Sequence, residues 1–382
     1  MRTSGTDSSA LRTPASARAL VEILVRVGDV AAVAAAVRSG GKVALLLGGR
    51  ALRERSLLAA ARIAAHSGVT LLAEVFPTRM ERGAGLPAVE RIAYLAEMAG
   101  VQLAGIEHLV LVDAKAPVSF FAYPGKKSDL VPEGCTVHTL ATPAQDAAAS
   151  LEKLAAALGA TQAQPVLQAA QRPGRPRGKL TAPKVCKAVG HLLPENAILV
   201  DEAITSGLML SVMTAGAPRH DLITLTGGAI GQGLPNAIGA AIACPTRPVL
   251  ALIGDGTAMY TIQALWTMAR EKLHVVSIVF NNASYSVLNV ELERVGAEES
   301  GPKAQAQLDL HGATRDAAHD FVVEFLHDAH RRGLRCVRVI HGKGLGSVNR
   351  TPVLKNLVDE SVTDRFDRAH EIVSVRIFFN TL

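Results

Sequence analysis

Short runs of apolar residues alternate along most of the chain with longer segments in which apolar residues recur at helical spacing. Such runs have the length and the continuous apolar character of strands that are buried on both faces of a sheet. They occupy residues 43–47, 70–75, 109–112, 198–200, 249–253 and 275–280. Strands that alternate with helices are typical of parallel sheets covered by helices on both sides. The pattern therefore predicts an α/β protein with two Rossmann-like parallel-sheet domains.

Changes of composition divide the chain further. Residues 1–19 are rich in Ser, Thr, Ala and Arg, and 1–29 are predicted to be a disordered leader and entry to the first domain, with a transit peptide as the alternative. The first α/β segment covers 30–160 and the second covers 180–307. Between them, 161–179 contains a basic stretch punctuated by Pro and Gly, which indicates a linker or, alternatively, a cationic nucleic-acid tail. Residues 308–382 have a strand–helix–strand pattern of their own, which predicts a small third α/β domain.

Composition adds few constraints to this organisation. The 382 residues carry a net charge of +6, which permits a polyanionic partner without requiring one. The four cysteines are scattered and form no C-x-x-C pair, which indicates reduced thiols in a cytoplasmic protein. No apolar stretch reaches the roughly 18 residues that are needed to span a bilayer, so no membrane partner is expected.

The strongest chemical signal is a pair of motifs, Gly254-Asp255-Gly256 and Asn281-Asn282, each of which follows a predicted strand. A segment with helical spacing, 257–270, lies between them. A strand–helix–strand unit of this length closes as a right-handed parallel crossover, which brings Asp255 and Asn282 to the same edge of the sheet. A carboxylate, an amide oxygen and a helix N-terminus that face one crevice suit Mg²⁺ and a diphosphate.

These two motifs resemble the GDG and NN signature of thiamine diphosphate-dependent enzymes. The resemblance implies that the side chains of Asp255 and Asn282 and the carbonyl of Ser284 bind Mg²⁺. It also implies that Gly254 and Gly256 allow the backbone to approach the cofactor closely.

Further segments are similar to cofactor-binding segments of the same family. The loop after the first strand of the second α/β segment resembles one that gives a hydroxyl to the diphosphate, a role that falls to Thr205 or Ser206. Thr257 would add a hydroxyl and an N–H. The glycine-rich segment before the signature resembles the one beneath the thiazolium ring, although a plain strand-to-helix turn fits equally well. The resemblance implies that Ile230 forces the cofactor into its bent shape and that the Gly228 carbonyl accepts from the 4′-amino group.

The resemblance covers about two thirds of the chain and names the acetolactate synthase-like and benzoylformate decarboxylase-like enzymes. Residues 30–159 are similar to their central domain, and 180–307 are similar to their diphosphate-binding domain without its last strand and helix. No segment matches the pyrimidine-binding domain, whose glutamate protonates the cofactor. We therefore expect little activity from the chain alone and expect a partner chain, or a homodimer, to complete the site.

The C-terminal segment carries the motifs LDLHG at 308–312 and HGKG at 341–344. Together they resemble the hallmarks of the Smr (small MutS-related) domain, which is associated with nucleic-acid binding and nicking. The resemblance implies a DNA or RNA partner, with His311 and His341 as acid or base and Lys343 as a point charge on a phosphate. The helix between the motifs is predicted to bury a stripe that includes Phe321. A last strand is predicted at 373–379, and its pairing is left open.

Three functions therefore remain open. The first is a thiamine diphosphate- and Mg²⁺-binding protein related to 2-oxo acid decarboxylases and carboligases. The second is nucleic-acid binding or nicking by the Smr-like segment. The third is a chimeric chain without activity, which is suggested by the absence of a linker at 307–310, where the two resemblances meet.

Overall fold

The computed structural model describes residues 27–122, 125–282, 284–294, 306–310, 313–332, 336–341 and 374–379. Residues 1–26 of the predicted leader lie outside this described part. The chain divides into two compact units, 1–287 and 288–382, each of which is described by itself. No helix among the described residues is long and apolar enough to cross a membrane.

The first half of the larger unit is built on a five-stranded parallel sheet. Its strands follow the order β4-β2-β1-β5-β6, and the short β3 belongs to a different sheet. The bounds are β1 Val43–Leu47, β2 Thr70–Ala73, β3 Met80–Arg82, β4 Glu90–Arg91, β5 His108–Val112 and β6 Thr136–Ala141. The helices are α1 Val27–Arg38, α2 Glu54–Ser67, α3 Ala96–Leu103 and α4 Ala147–Leu158.

All five residues of β1 are buried, because this strand is central and helices cover both faces of the sheet. Leu45 and Leu47 pack on the side of α1, α2 and α4, whereas Ala44 and Leu46 pack with residues of α3 on the other side. The alternation of side chains along the strand thus feeds two hydrophobic cores.

The second half of the larger unit holds another five-stranded sheet, in the order β10-β9-β7-β8-β3. Its own four strands are parallel, and β3 joins β8 antiparallel from the first half of the chain. The strands are β7 Ala197–Glu202, β8 His220–Ile223, β9 Val249–Gly254 and β10 Val275–Phe280. The helices are α5 Ala182–Leu192, α6 Leu210–Met213, α7 Gly233–Ala243, α8 Asp255–Ala258 and α9 Ala264–Arg270, and α10 Ser286–Arg294 crosses the division between the units.

One expectation for this half is wrong. The helical spacing at 257–270 predicts a single helix, but the structure has two short helices, α8 and α9, separated by a turn at 259–263. Within this turn the Thr261 hydroxyl donates to the Gly231 carbonyl at 2.7 Å. Trp266, which the spacing places on the buried stripe, is 62% exposed. Tertiary hydrogen bonding here outweighs the helical pattern.

The smaller unit has a parallel three-stranded sheet in the order β11-β12-β13. Its elements are β11 Ala306–Asp309, α11 Arg315–Arg331, β12 Cys336–His341 and β13 Ser374–Phe379. Thr314 caps α11 by accepting from the N–H of Ala317 at 3.4 Å. The last strand, β13, pairs with β12 along its whole length, which answers the question about its pairing that the sequence left open.

The helix of this unit corrects one detail of the predicted stripe. Val322, Leu326 and Ala329 of α11 are buried, but Phe321 is 49% exposed. It lies one position before Val322, about 100° away around the helix, and so points away from the buried face. The α/β fold class, with parallel sheets in each segment, is otherwise confirmed.

Candidate functional site

The carboxyl edge of the second sheet brings the two signature motifs together. Strands β9 and β10 are parallel neighbours, and Phe280 is paired with Gly254 at their last residues. Asp255 and Asn281 therefore begin the loops that leave this edge, and Asn282 follows. The sequence-based placement of the two motifs on adjacent strand ends is confirmed.

The turn after β9 is held from inside by a threonine. The Thr257 hydroxyl donates to the Gly254 carbonyl at 2.9 Å and lies 3.4 Å from the Glu202 carbonyl. Thr257 is buried, and its hydroxyl, which is predicted to bind the diphosphate, already makes a hydrogen bond within the protein. A Cβ on Gly256 would lie 3.0 Å from the ring of Tyr285, so a larger residue here would require this exposed ring to shift.

The loop after β10 is shaped by Asn282. Its side-chain oxygen accepts from the N–H of Ser284 at 3.0 Å, and its amide nitrogen lies 3.4 Å from the Ser286 hydroxyl. This local turn leads the chain into α10. Asn282 and Ser284 are both exposed beside the β9 turn, where the resemblance expects metal ligands. The Asn282 oxygen retains a second lone pair for such a ligand.

The loop after β7 contains Thr205 and Ser206, which lie half-buried in a single turn of 3₁₀ helix. The preceding Ile204 has a φ of 49°, an unusual conformation for a β-branched residue. The loop is fixed by Asp201, whose carboxylate accepts from the N–H of Ala203 at 3.2 Å. Burial raises the pKa of Asp201, whereas the Ala203 N–H and two arginines of the first half act in the opposite direction.

The glycine-rich turn between β8 and α7 carries the two remaining predicted residues. Gly227 and Gly228 each have a φ of 66° and Gly231 has a φ of 94°, so three positions of the turn require the left-handed region that glycine tolerates. Ile230 is exposed at the tip. A Cβ on Gly228 would overlap the ring of Phe120, so this glycine also permits a close contact with the first half of the unit.

Sequence reasoning missed the group that organises this turn. Glu202, the last residue of β7, is buried and accepts from three consecutive N–H groups, those of Gly231 at 2.6 Å, Gln232 at 3.2 Å and Gly233 at 2.9 Å. Burial raises the pKa of Glu202, and these N–H groups oppose the increase. The signal available in the sequence was a pair of acidic residues, Asp201 and Glu202, at the end of an otherwise apolar strand.

Four aromatic side chains beside the glycine turn were also missed. Phe76, Tyr94, Phe120 and Phe121 form a cluster in which Phe120 lies 5.5 Å from Phe76, 5.3 Å from Tyr94 and 5.3 Å from Phe121 between ring centroids. The cluster is tied to the second sheet by the Thr224 hydroxyl, which donates to the Pro77 carbonyl at 2.7 Å. Aromatic residues are only 4% of the chain, so four of them in contact beside the glycine turn are a local concentration.

The predicted residues of the smaller unit are described only in part. His341 ends β12, and Asp309 at the end of β11 is paired with Ile340, so the two motif-bearing strands are parallel neighbours. His311 and Lys343 lie outside the described residues, as does the side chain of His341. Within the described part of the chain, no group of three or more His, Cys, Asp and Glu residues is arranged to hold a metal ion.

Comparison with known proteins places this geometry in context. Residues 205–328 match the family described as thiamine pyrophosphate enzyme, C-terminal TPP binding domain, and residues 308–376 match the Smr domain. The two matches overlap at 308–328, whereas the two resemblances noted in the sequence meet at 307–310.

Individual relatives agree with these matches. The chain is 54% identical over 289 residues to a protein named for the acetolactate synthase large subunit, IlvX, of Mycobacterium tuberculosis, covering 75% of this chain and 56% of that one. It is 33% identical over 129 residues to benzoylformate decarboxylase of Pseudomonas aeruginosa, covering 33% and 24% respectively. The chain thus spans about half, or less, of the length of these relatives.

Solved structures share the fold. The thiamine diphosphate-dependent 4-hydroxybenzoylformate decarboxylase of Rhodococcus jostii superposes with a TM-score of 0.57 at 20% identity, covering 93% of this chain and 64% of that one. Benzoylformate decarboxylase from Polynucleobacter necessarius gives a TM-score of 0.55 at 18% identity, covering 92% and 64%. The resemblance to thiamine diphosphate enzymes, followed by an Smr domain, is confirmed.

Proposed function

We propose that this chain, which belongs through residues 205–328 to the thiamine pyrophosphate enzymes, binds thiamine diphosphate and Mg²⁺ at the carboxyl edge of its second sheet. The observation that carries the proposal is the pairing of β9 with β10, which places the loops of Asp255 and Asn282 side by side. The reaction class that we infer is decarboxylation or carboligation of a 2-oxo acid. In that chemistry the bound cofactor supplies an electron sink for the carbon–carbon bond.

The residues at this edge fit a metal diphosphate. A carboxylate from Asp255, an amide oxygen from Asn282 and the carbonyl of Ser284 are the hard oxygen ligands that Mg²⁺ prefers, and the diphosphate and water would complete its octahedron. Thr205 and Ser206 lie on the strained loop beside them, where their hydroxyls would bind phosphate oxygens. The N–H and hydroxyl of Thr257 would do so from the β9 turn.

The glycine turn would hold the organic half of the cofactor. The Gly228 carbonyl would accept from the 4′-amino group, and the exposed Ile230 would support the thiazolium ring. The N-terminus of α7 is unfavourable for the diphosphate, because the Glu202 carboxylate already accepts from the N–H groups of Gly231 and Gly233 there and its negative charge would repel a second anion. The diphosphate is therefore directed to the loops after β7 and β9.

Turnover requires one more group, an acid that protonates N1′ of the pyrimidine. We assign this role to no residue of the 382, and we propose that a pyrimidine-binding domain on a partner chain, or on a second copy of this protein, supplies it. Binding of the cofactor and turnover are therefore separate properties, and we expect the first without the second for the isolated chain.

The proposal is tested by calorimetric titration of the full chain with thiamine diphosphate and Mg²⁺. We expect saturable binding that disappears in Asp255→Ala and on chelation of the metal. Glu271→Ala is the matched control, because Glu271 is an exposed acid whose ion-pair partner is the neighbouring Arg270. Failure of the wild-type chain to bind millimolar cofactor would refute the proposal.

A second function is favoured by the Smr match over 308–376. We propose that this segment binds DNA or RNA through the HGKG motif that contains Lys343, with His341 and His311 as the candidate acid and base for nicking. Binding to nucleic acid weakens as salt rises, and the slope of the logarithm of the binding constant against the logarithm of the salt concentration measures this effect. Replacing Lys343 by Ala should make that slope shallower by about one unit, because one phosphate contact is lost. Gel-shift titrations at several salt concentrations measure this slope, and Lys153→Ala, an exposed lysine of α4, is the control. Equal slopes for wild type and Lys343→Ala would contradict it.

A further inference from the structure

The Glu202 carboxylate contacts the backbone of the glycine turn directly. Its Oε1 accepts from the N–H groups of Gly231 and Gln232, and its Oε2 accepts from that of Gly233 at 2.9 Å. Gly233 is the first residue of α7, so the carboxylate also lies at the positive end of an 11-residue helix. The segment 226–233 contains no charged residue that could replace it.

A second side chain closes the same turn from the opposite direction. The amide nitrogen of Gln232 donates to the carbonyls of Thr226 and Ala229, both at 2.8 Å. Glu202 therefore fixes donors of the turn and Gln232 fixes acceptors. Gly228 and Ile230 make none of these hydrogen bonds themselves, but they lie between the anchored positions and are held through them.

Glu202 also connects the turn to the diphosphate side of the site. Its carbonyl lies 3.4 Å from the Thr257 hydroxyl, so one residue contacts both the glycine turn and the turn after β9. A Cβ on Gly233 would lie 2.6 Å from the Glu202 carboxylate, which shows how closely helix and strand approach here. The distance between the two turns is thus set through the last residue of β7.

We propose that Glu202, assisted by Gln232, is a positioning residue that holds the glycine turn in the shape needed to bind the aminopyrimidine and thiazolium half of thiamine diphosphate. The inference rests on the proposed cofactor site and adds a division within it. Glu202 governs the organic half of the ligand, whereas the loops of Asp255 and Asn282 govern the metal diphosphate. The carboxylate itself does not contact the ligand.

The division is tested with two ligands on the full chain, thiamine diphosphate and inorganic pyrophosphate, each titrated with Mg²⁺ by calorimetry. In Glu202→Gln one of the three N–H groups faces an amide NH₂ instead of an acceptor. We expect the affinity for thiamine diphosphate to fall about tenfold or more, equivalent to about 1.4 kcal/mol, while the affinity for pyrophosphate changes by less than about twofold. Glu195→Gln, at an exposed position, should leave both affinities unchanged.

Gln232→Ala provides an independent variant, because this side chain is half-buried and its removal leaves the buried carboxylate in place. It should weaken thiamine diphosphate selectively, and hydrogen exchange of residues 227–233 should accelerate in both variants. If both variants bind both ligands as the wild type does, the inference is wrong. If they lose both ligands equally, Glu202 supports the fold rather than the turn, and the inference is again wrong. Absence of binding of either ligand to the wild type would instead refute the proposed function.

Discussion

The buried side chain of His220 makes the free energy of unfolding of the larger unit depend on pH. This residue begins β8 and is 3% exposed. Its Nδ1 lies 2.8 Å from the Pro218 carbonyl, which fixes the neutral tautomer with the proton on Nδ1. Its Nε2 is buried and has no hydrogen-bond partner among the described residues. Burial, followed by the positive charge of Arg82, lowers the pKa of His220 from 6.5 to about 4.

The direction of the effect follows from comparing the folded and unfolded chains. Below pH 6.5 the unfolded chain binds a proton at this histidine, but the folded chain remains neutral until about pH 4. Lowering the pH therefore favours unfolding, and the stability present above pH 6.5 is lost as the pH falls towards 4. The difference between the two pKa values corresponds to about 3 kcal/mol in total, of which about 2 kcal/mol is lost by pH 5.

The measurement is a series of urea unfolding curves between pH 7.5 and 5, followed by far-UV circular dichroism, for the wild type and His220→Asn. The Asn amide can donate to the Pro218 carbonyl in place of Nδ1 but cannot ionise. Asp201 and Glu202 have raised pKa values, so their protonation acts in the opposite direction, but it does so equally in both proteins. We expect the difference in unfolding free energy to change by about 2 kcal/mol over this range. Parallel curves would refute the reasoning.

Three further predictions concern stability. Asp221→Asn should lower the free energy of unfolding in urea by about 2 kcal/mol, because Asp221 is buried and forms ion pairs with Arg79 and Arg247 at 2.6 Å. Glu271→Gln, in an exposed ion pair, should lower it by less than about 0.5 kcal/mol, and equal losses in the two variants would contradict the prediction. Gly233→Ala should lower the free energy of unfolding by about 1–3 kcal/mol, because the new Cβ would lie 2.6 Å from the Ile253 side chain. Thermal melting measures the effect, and a melting temperature equal to that of the wild type would exclude this overlap. Phe120→Ala should cost about 1–2 kcal/mol through its ring contacts, measured by thermal melting against the exposed Val118→Ala, which should be neutral.

Six strands of the two large sheets were predictable because each is a continuous apolar run, namely β1, β2, β5, β7, β9 and β10, whereas β4, β6 and β8 were not predicted. The run at 275–280 coincides with β10 and the run at 43–47 coincides with β1. Such strands appear in the sequence as continuous apolar segments, which periodicity detects directly. The short edge strand β3 was missed, because Met80–Arg82 contains a single apolar residue and its pairing with β8 joins residues about 140 positions apart.

The helix at 257–270 was mispredicted for a related reason. Its apolar spacing is continuous, but the backbone breaks where Thr261 bonds to Gly231, thirty residues earlier in the chain. A local pattern cannot include a hydrogen bond of that range. The same limit applies to the aromatic cluster, whose members come from three separate loops and meet only when the first sheet is formed.

The order of the strands in the second sheet explains why some site residues could be found from the sequence and others were missed. Asp255 and Asn282 belong to consecutive strands that are also neighbours in space, so their proximity can be inferred from a single strand–helix–strand unit. Glu202 ends β7, which lies between β9 and β8 although it precedes both in the chain. Only this non-sequential order lets its carbonyl approach the turn after β9 while its carboxylate binds the turn after β8. A sequence motif marks the groups that are expected to contact a ligand. Which group fixes the spacing between them depends on the order of the strands in the sheet, and the end of a central strand is the place to look for it.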